Sequence, residues 1–295
     1  MPDRLAVLVT GVTGNQGGAV ARSLLRRGHR VRGMTRKPQS AAAAALKALG
    51  AEIVAGDMED RASLAQAVSR MDAVFCVTTP FDTGGPQTEV RQGTNLADAV
   101  KFCGINFLVY SSVPKANTRT GIPHFESKGE VERYIASLNI PWAVIGPTMF
   151  MENFTGPFFR PGLLEGQFAI AISSNCTLPL ICMEDIGSFA TLVLEQRERF
   201  LGRRIDIASD ELKPPAIAEI LSDVSGRHIK YHHTPISEIR TWSKELALMY
   251  EWFEHTGTGI DVAALRREYP QVGWHDFRQW AETQSWEVLT QGAAK

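Results

Sequence analysis

The stretch that most constrains this chain is Leu5 to Gly18, Leu-Ala-Val-Leu-Val-Thr-Gly-Val-Thr-Gly-Asn-Gln-Gly-Gly. Leu5 to Val9 is a short apolar run of the kind buried in a parallel sheet, and a helical pattern opens with Ala19 to Leu25. Gly11, Gly14 and Gly17 lie between them. A strand that turns sharply into a helix packed on it needs residues without side chains, both for the turn and for a close approach of backbone to ligand. The free N–H groups of the new helix then face an anion. This predicts a pyrophosphate-type site at Asn15, Gln16 and Gly17, with Gly11, Thr13 and Gly14 forming the turn.

Further apolar runs follow at Arg30 to Thr35, Ala51 to Gly56, Asp72 to Thr79, Asn106 to Ser112 and Trp142 to Thr148. Helical patterns lie around residues 18–28, 40–49, 60–69, 87–102 and 126–138. Each separation is long enough for a crossover helix, so the expected fold is α/β, a doubly wound parallel sheet. The alanine run after Ser40 reads as a capped scaffold helix ending at Gly50. Beyond Phe150 the alternation lapses into Pro157, Pro161, Gly162, Gly166 and Pro179. We therefore expect a dinucleotide-binding domain over 1–153, with about 180–209 returning to it, and a smaller α/β substrate-binding or lid domain over 154–295. Arg204 to Ala208 and Ile229 to His232 are expected strands, and Pro214 to Val224 a helix with prolines in its first turn.

The formal net charge of −1 gives no broad attraction to nucleic acid or an anionic membrane, and no basic stripe or helix-turn-helix pattern appears. No apolar run approaches transmembrane length, and Met-Pro-Asp-Arg leads into the first strand without the features of a signal peptide. Cys76, Cys103, Cys176 and Cys182 lack metal-ligand spacing and read as small hydrophobes in a reducing cytoplasm. His228, His232 and His233 have no ligand spacing either, so no metal is expected.

The end of the second strand bears on which nucleotide is held. An acid about 20 positions beyond the glycines would bond the ribose of NAD. This chain has Thr35-Arg36-Lys37 there, and two cations suit a 2′-phosphate, so NADP is the expected cofactor and NAD the alternative. Asp57, followed by Met58, stands where a carboxylate could accept from an adenine amino group or could cap the next helix. Thr78 and Thr79 end the fourth strand and should line the crevice, with Phe81 just beyond.

Together, Thr10 to Val20, Gly56-Asp57, His-Phe-Glu-Ser-Lys-Gly-Glu-Val-Glu at 124–132 and Pro-Thr-Met-Phe-Met-Glu-Asn-Phe at 147–154 resemble the NmrA-like family of atypical short-chain dehydrogenases/reductases. The resemblance extends through Met183 to Gly187 and on to the Gly259-Ile260-Asp261 and Asp276 to Trp280 stretches. It implies a Rossmann domain binding NADP(H) or NAD(H) and a smaller domain closing over the nicotinamide. Some relatives reduce quinones, triarylmethane dyes or plant phenolics, some act in aromatic polyketide tailoring, and others are redox-sensing regulators.

Against the Ser and Tyr-x-x-x-Lys of typical short-chain dehydrogenases, this chain has Tyr110-Ser111-Ser112 and His124-Phe125-Glu126-Ser127-Lys128. Ser112, His124 and Lys128 are thus the implied catalytic set, with imidazole in place of phenol as proton donor and Lys128 also holding the ribose. Tyr110 is expected to face the sheet packing. The resemblance implies that Pro147 to Asn153 runs past the nicotinamide, with Met149 or Phe150 offering a face and Asn153 a hydrogen bond. Gly146 stands where relatives commonly carry Arg. Tyr250, Trp252 and Phe253, near Trp242 and His255, could wall a pocket for a flat apolar ligand, although core packing accounts for any one of them more simply.

The function these features favour is an NADP(H)-dependent oxidoreductase acting on a small quinone-like or aromatic polyketide-like substrate. The alternatives are a non-catalytic NADP(H) sensor working through a protein partner, and an oxygen-dependent aromatic tailoring enzyme, for which the chain has no metal or flavin motif. A homodimer is compatible with the sequence.

Overall fold

The computed structural model describes residues 4–81 and 84–286. The elements in chain order begin with β1 (Ala6–Val9), α1 (Asn15–Arg26), β2 (Arg30–Thr35), α2 (Ala41–Ala48), β3 (Glu52–Ala55), α3 (Arg61–Val68), β4 (Ala73–Val77), α4 (Pro86–Phe102), β5 (Leu108–Ser111), α5 (Pro123–Ser137) and β6 (Trp142–Pro147). There follow β7 (Met149–Phe150), α6 (Arg160–Leu164), β8 (Gln167–Ile170), β9 (Leu178–Ile181), α7 (Met183–Glu195), α8 (Arg197–Phe200), β10 (Arg204–Ile207) and β11 (Asp210–Leu212). The last elements are α9 (Pro214–Ser225), β12 (Lys230–His233), α10 (Ile236–Trp242), α11 (Lys244–His255), α12 (Val262–Glu268) and α13 (Phe277–Glu282). Among the described residues no helix is long and apolar enough to cross a membrane.

The chain divides into two compact units. The first comprises residues 1–147 and 183–206, the second 148–182 and 207–295. The first is built on a seven-stranded sheet of order β10-β6-β5-β4-β1-β2-β3. Its neighbours from β3 through β6 all pair in parallel, with Val9 opposite both Gly33 and Phe75. This is the doubly wound Rossmann order, whose switch point lies between β1 and β4. The apolar runs become its central strands: β1, β4 and β5 are buried along most of their length. On one face Leu8, Val74, Leu108 and Tyr110 pack with Leu64, Leu96, Val100, Val131 and Ile135 from α3, α4 and α5. Each such large side chain, fully buried, contributes roughly 1.5–3 kcal/mol.

Local sequence sets the helix ends. Ser40 accepts from Ala43 N at 3.3 Å and caps α2. Asp60, not Asp57, caps α3, through Ala62 N at 2.9 Å. Helix α1 begins at Asn15, four residues before the apolar pattern opens at Ala19.

The second unit carries a three-stranded sheet, β11-β9-β7, and a two-stranded one, β12-β8. Its core is aromatic: Phe154 lies 5.1 Å from Phe159, 5.4 Å from Phe168 and 4.9 Å from Phe277, centroid to centroid. Helix α13 starts with a reciprocal capping box between Asp276 and Gln279.

Candidate functional site

The turn after β1 shows why its glycines are required. Gly11 adopts φ +56°, and a Cβ there would lie 2.7 Å from Val77 Cγ1. At Gly17, inside α1, a Cβ would meet the Gly11 carbonyl and lie 2.6 Å from Thr10 O, so the helix could not sit so close to its strand. Gly14 is the N-cap; it has extended backbone and no side chain to cap the helix. The first N–H groups of α1 therefore lack a capping side chain, as an anion site requires. Thr10 closes the sheet beneath them, accepting from Val77 N at 2.9 Å and donating to Val77 O at 3.1 Å. A cradle that a Cβ would fill, ahead of a helix start with no side-chain cap, fits a dinucleotide pyrophosphate.

Thr13 Oγ1 lies 3.4 Å from Thr35 Oγ1, and Thr35 accepts from Lys37 N at 3.1 Å. This ties the glycine turn to the end of β2, where Arg36 and Lys37 are both exposed. Asp57 accepts from Glu59 N at 2.9 Å in a short turn after β3, and the next residue, Met58, accepts from Asn95 at its carbonyl at 3.1 Å.

At the carboxyl ends of β4 and β5 lies a buried polar cluster. Lys128, one and a half turns into α5, donates to Thr78 O at 2.8 Å and pairs with Glu89 of α4 at 2.7 Å. Glu89 also accepts from Thr78 Oγ1 at 2.9 Å and Ser127 Oγ at 2.6 Å. The Tyr110 hydroxyl lies 3.0 Å from Thr78 Oγ1. Burial first, then the Glu89 charge, holds its pKa well above that of an ordinary phenol, so Tyr110 is a packed, protonated residue and not a substitute acid. Burial likewise pushes the Cys76 thiol up to about 12.

The serines divide differently from expectation. Ser111 donates to Gln16 Oε1 at 2.7 Å and so joins β5 to the first turn of α1. Ser112, the expected catalytic serine, is buried and donates to Glu132. Glu132 in turn receives Arg204 Nε at 2.9 Å, and Arg204 also reaches Asp206 and, at 2.5 Å, Val113 O. Burial would lower the Arg204 pKa; Asp206 and Glu132 more than offset that and raise it. This cluster explains the departure at Gly146, where a Cβ would run into Asp206 and lie 2.9 Å from Val113 O. A cation reaches this place from β10 and not from β6.

His124 lies in the first turn of α5, 7% exposed, with its ring 5.5 Å from Phe81 and 4.9 Å from Phe125. Phe81 itself is 75% exposed. Thr79 is half-buried at the end of β4, and Pro147 is buried at the end of β6.

The remaining expected residues belong to the second unit. Met149 and Phe150 form β7, paired with Leu180 and Ile181, and Asn153 is exposed in the 3-10 turn that follows. Tyr250 is 6% exposed and packs in that unit's core beside the partly buried Met149 and Phe253. Its hydroxyl is pushed up to about 12 by burial, so Tyr250 is a packing residue where a pocket wall was expected. Trp252 and Phe253 are half-buried and meet edge to face at 5.2 Å. Cys182 Sγ lies 3.8 Å from His275 Nδ1, a contact across 93 residues that no spacing rule could reveal.

A Rossmann-ordered sheet with a glycine turn at its switch point defines an α/β protein of dinucleotide-binding type. The chain belongs to the NmrA-like family, whose model matches residues 4–281. It is 39% identical over 239 residues to an NmrA-like family domain-containing oxidoreductase of Aspergillus versicolor, covering 70% of this chain and 66% of that one. Among solved structures, NmrA, a negative transcriptional regulator, in complex with NADP matches with a TM-score of 0.77 at 18% identity, over 99% of this chain and 98% of that one. The NADPH-dependent quinone oxidoreductase QOR2 of Escherichia coli, complexed with NADPH, matches with a TM-score of 0.76 at 19% identity, over 93% and 98%. At these identities the structural likeness is one of fold.

Proposed function

We propose that this protein is an NADP(H)-dependent oxidoreductase acting on a small quinone-like or aromatic carbonyl substrate. The observation that carries the reading is the uncapped start of α1 behind Gly11, Gly14 and Gly17, tied through Thr13 and Thr35 to the exposed cations Arg36 and Lys37. The N–H groups of Asn15, Gln16 and Gly17 hold the pyrophosphate, and Arg36 and Lys37 the 2′-phosphate. Asp57 and Met58 lie towards the adenine, and Thr78, Thr79 and Pro147 line the crevice. Phe81, exposed beside His124, is assigned to the substrate. The cofactor, when bound, supplies hydride; His124 supplies a proton to the substrate oxygen, a role in which imidazole is effective near neutral pH. The oxidoreductase relative and the NADPH-bound quinone reductase support this reading. Steady-state oxidation of NADPH against a panel of quinones tests it: we expect turnover with at least one, and tight NADPH binding with no turnover on the panel overturns it.

A second reading is an NADP(H)-sensing regulator. It is favoured by His124 in the place of the usual Tyr and by Lys128 lying bound within the protein to Glu89.

A further inference from the structure

The Glu89–Lys128 pair has no place in the chemistry expected of the motif, which asks for a lysine facing the ribose. Glu89 is completely enclosed and Lys128 nearly so. Both carboxylate oxygens are committed, one to Lys128 and Thr78 and the other to Ser127. The ammonium has three hydrogens and faces Glu89, the Thr78 carbonyl and, at 3.4 Å, the Ser111 carbonyl. An ammonium and a carboxylate 2.7 Å apart carry almost no net charge as seen from outside the pair. Tyr110 and Cys76 add none, since both stay protonated near neutral pH. Glu89 is therefore what cancels the Lys128 charge in this cluster.

The cluster is one residue away from the glycine turn. Ser111, whose carbonyl faces Lys128, gives its hydroxyl to Gln16 in the first turn of α1. The charge there matters for a nicotinamide, because the oxidised ring is a cation and the reduced ring is neutral. An uncancelled ammonium opposes the oxidised form alone, and in a poorly solvated site its field is weakly screened.

We propose that Glu89 is a positioning residue that holds Lys128 in a neutral pair and thereby sets the ratio of affinities for NADP+ and NADPH. This rests on the reading that the crevice binds NADP(H). Thr78 fixes the geometry, since its hydroxyl donates to Glu89 while its carbonyl receives Lys128. Thr78, at the end of β4, thus holds both partners, one through its side chain and the other through its backbone.

The test is calorimetric titration of NADP+ and NADPH into the wild type, Glu89→Gln, Glu89→Asp and the double variant Glu89→Gln/Lys128→Met. Glu89→Gln is expected to raise the ratio of Kd for NADP+ to Kd for NADPH about tenfold. The double variant, with neither charge, is expected to return the ratio to the wild-type value. Glu89→Asp shifts it the same way by less. A merely structural role weakens both forms alike, so an unchanged ratio in Glu89→Gln overturns the proposal. If that variant does not fold, an unchanged ratio in Glu89→Asp does so instead. Wild-type protein that binds neither nucleotide overturns the underlying cofactor reading, a result distinct from an unchanged ratio.

Discussion

One methyl group at position 17 would meet the backbone that ends β1, 2.6 Å from the Thr10 oxygen. Backbone cannot rotate aside as a side chain can, so Gly17→Ala must move α1 off the sheet. We expect a cost of about 1–3 kcal/mol, read as a fall of several degrees in the thermal midpoint, together with loss of NADPH binding. Arg36→Ala/Lys37→Ala tests the other end of the same site. It is expected to weaken NADPH at least tenfold, since a hydrogen bond to a charged group contributes roughly 1.5–3 kcal/mol, and to leave NADH affinity unchanged in parallel titrations. The need for glycine at position 17 was legible because the contact that imposes it, at Thr10, lies within a short window of sequence. Glu89 was not: its partners Ser127 and Lys128 lie on another helix, 38 residues away in the case of Ser127. Arg204 and Glu132 are 72 apart. A carboxylate in a helical pattern looks like a solvated face until the sheet brings its cation to it.

Elements show the same division between local and distant causes. The strands could be read because both faces of a parallel sheet are covered, which leaves continuous apolar runs. The first turn of α1 was hidden because Asn15 and Gln16 are polar and carry no hydrophobic period, although Gln16 reaches back to Ser111 of β5. Nothing in the sequence shows that α7 packs along α1, joined by Thr191 Oγ1 to Ser23 Oγ at 2.9 Å and by Glu195 to Arg27 at 2.6 Å and His29 at 2.9 Å. Burial alone would raise the Glu195 pKa; the hydrogen bonds and charges of Arg27 and His29 reverse this and leave it lowered. A carboxylate lowered in the folded state stabilises above its unfolded value, about 4.3, and loses that contribution as the pH falls through the folded one. Glu195→Gln should therefore be less stable than wild type near neutrality and converge with it in acid, as urea unfolding between about pH 3 and pH 7 will show.

For the whole molecule, the oxidoreductase and sensor readings make opposite demands. A sensor must exist in forms that differ between nucleotides, since a ligand shifts an equilibrium only through differential affinity for its states. Hydrogen exchange of the full chain without nucleotide, with NADP+ and with NADPH is expected to distinguish the two nucleotide complexes if the protein senses redox state. Identical exchange in both removes that reading. The order of the chain has one more effect. The first unit leaves off at Pro147 and is completed by residues 183–206, which supply α7 against α1 and the outer strand β10 against β6. During synthesis at roughly 5–20 residues per second, the glycine turn and most of its sheet emerge several seconds before the segment that covers them. Until then α1 exposes the face that holds Ser23, and β6 is an open edge. A nascent chain stalled before residue 183 should thus be a better chaperone substrate than one released past residue 206.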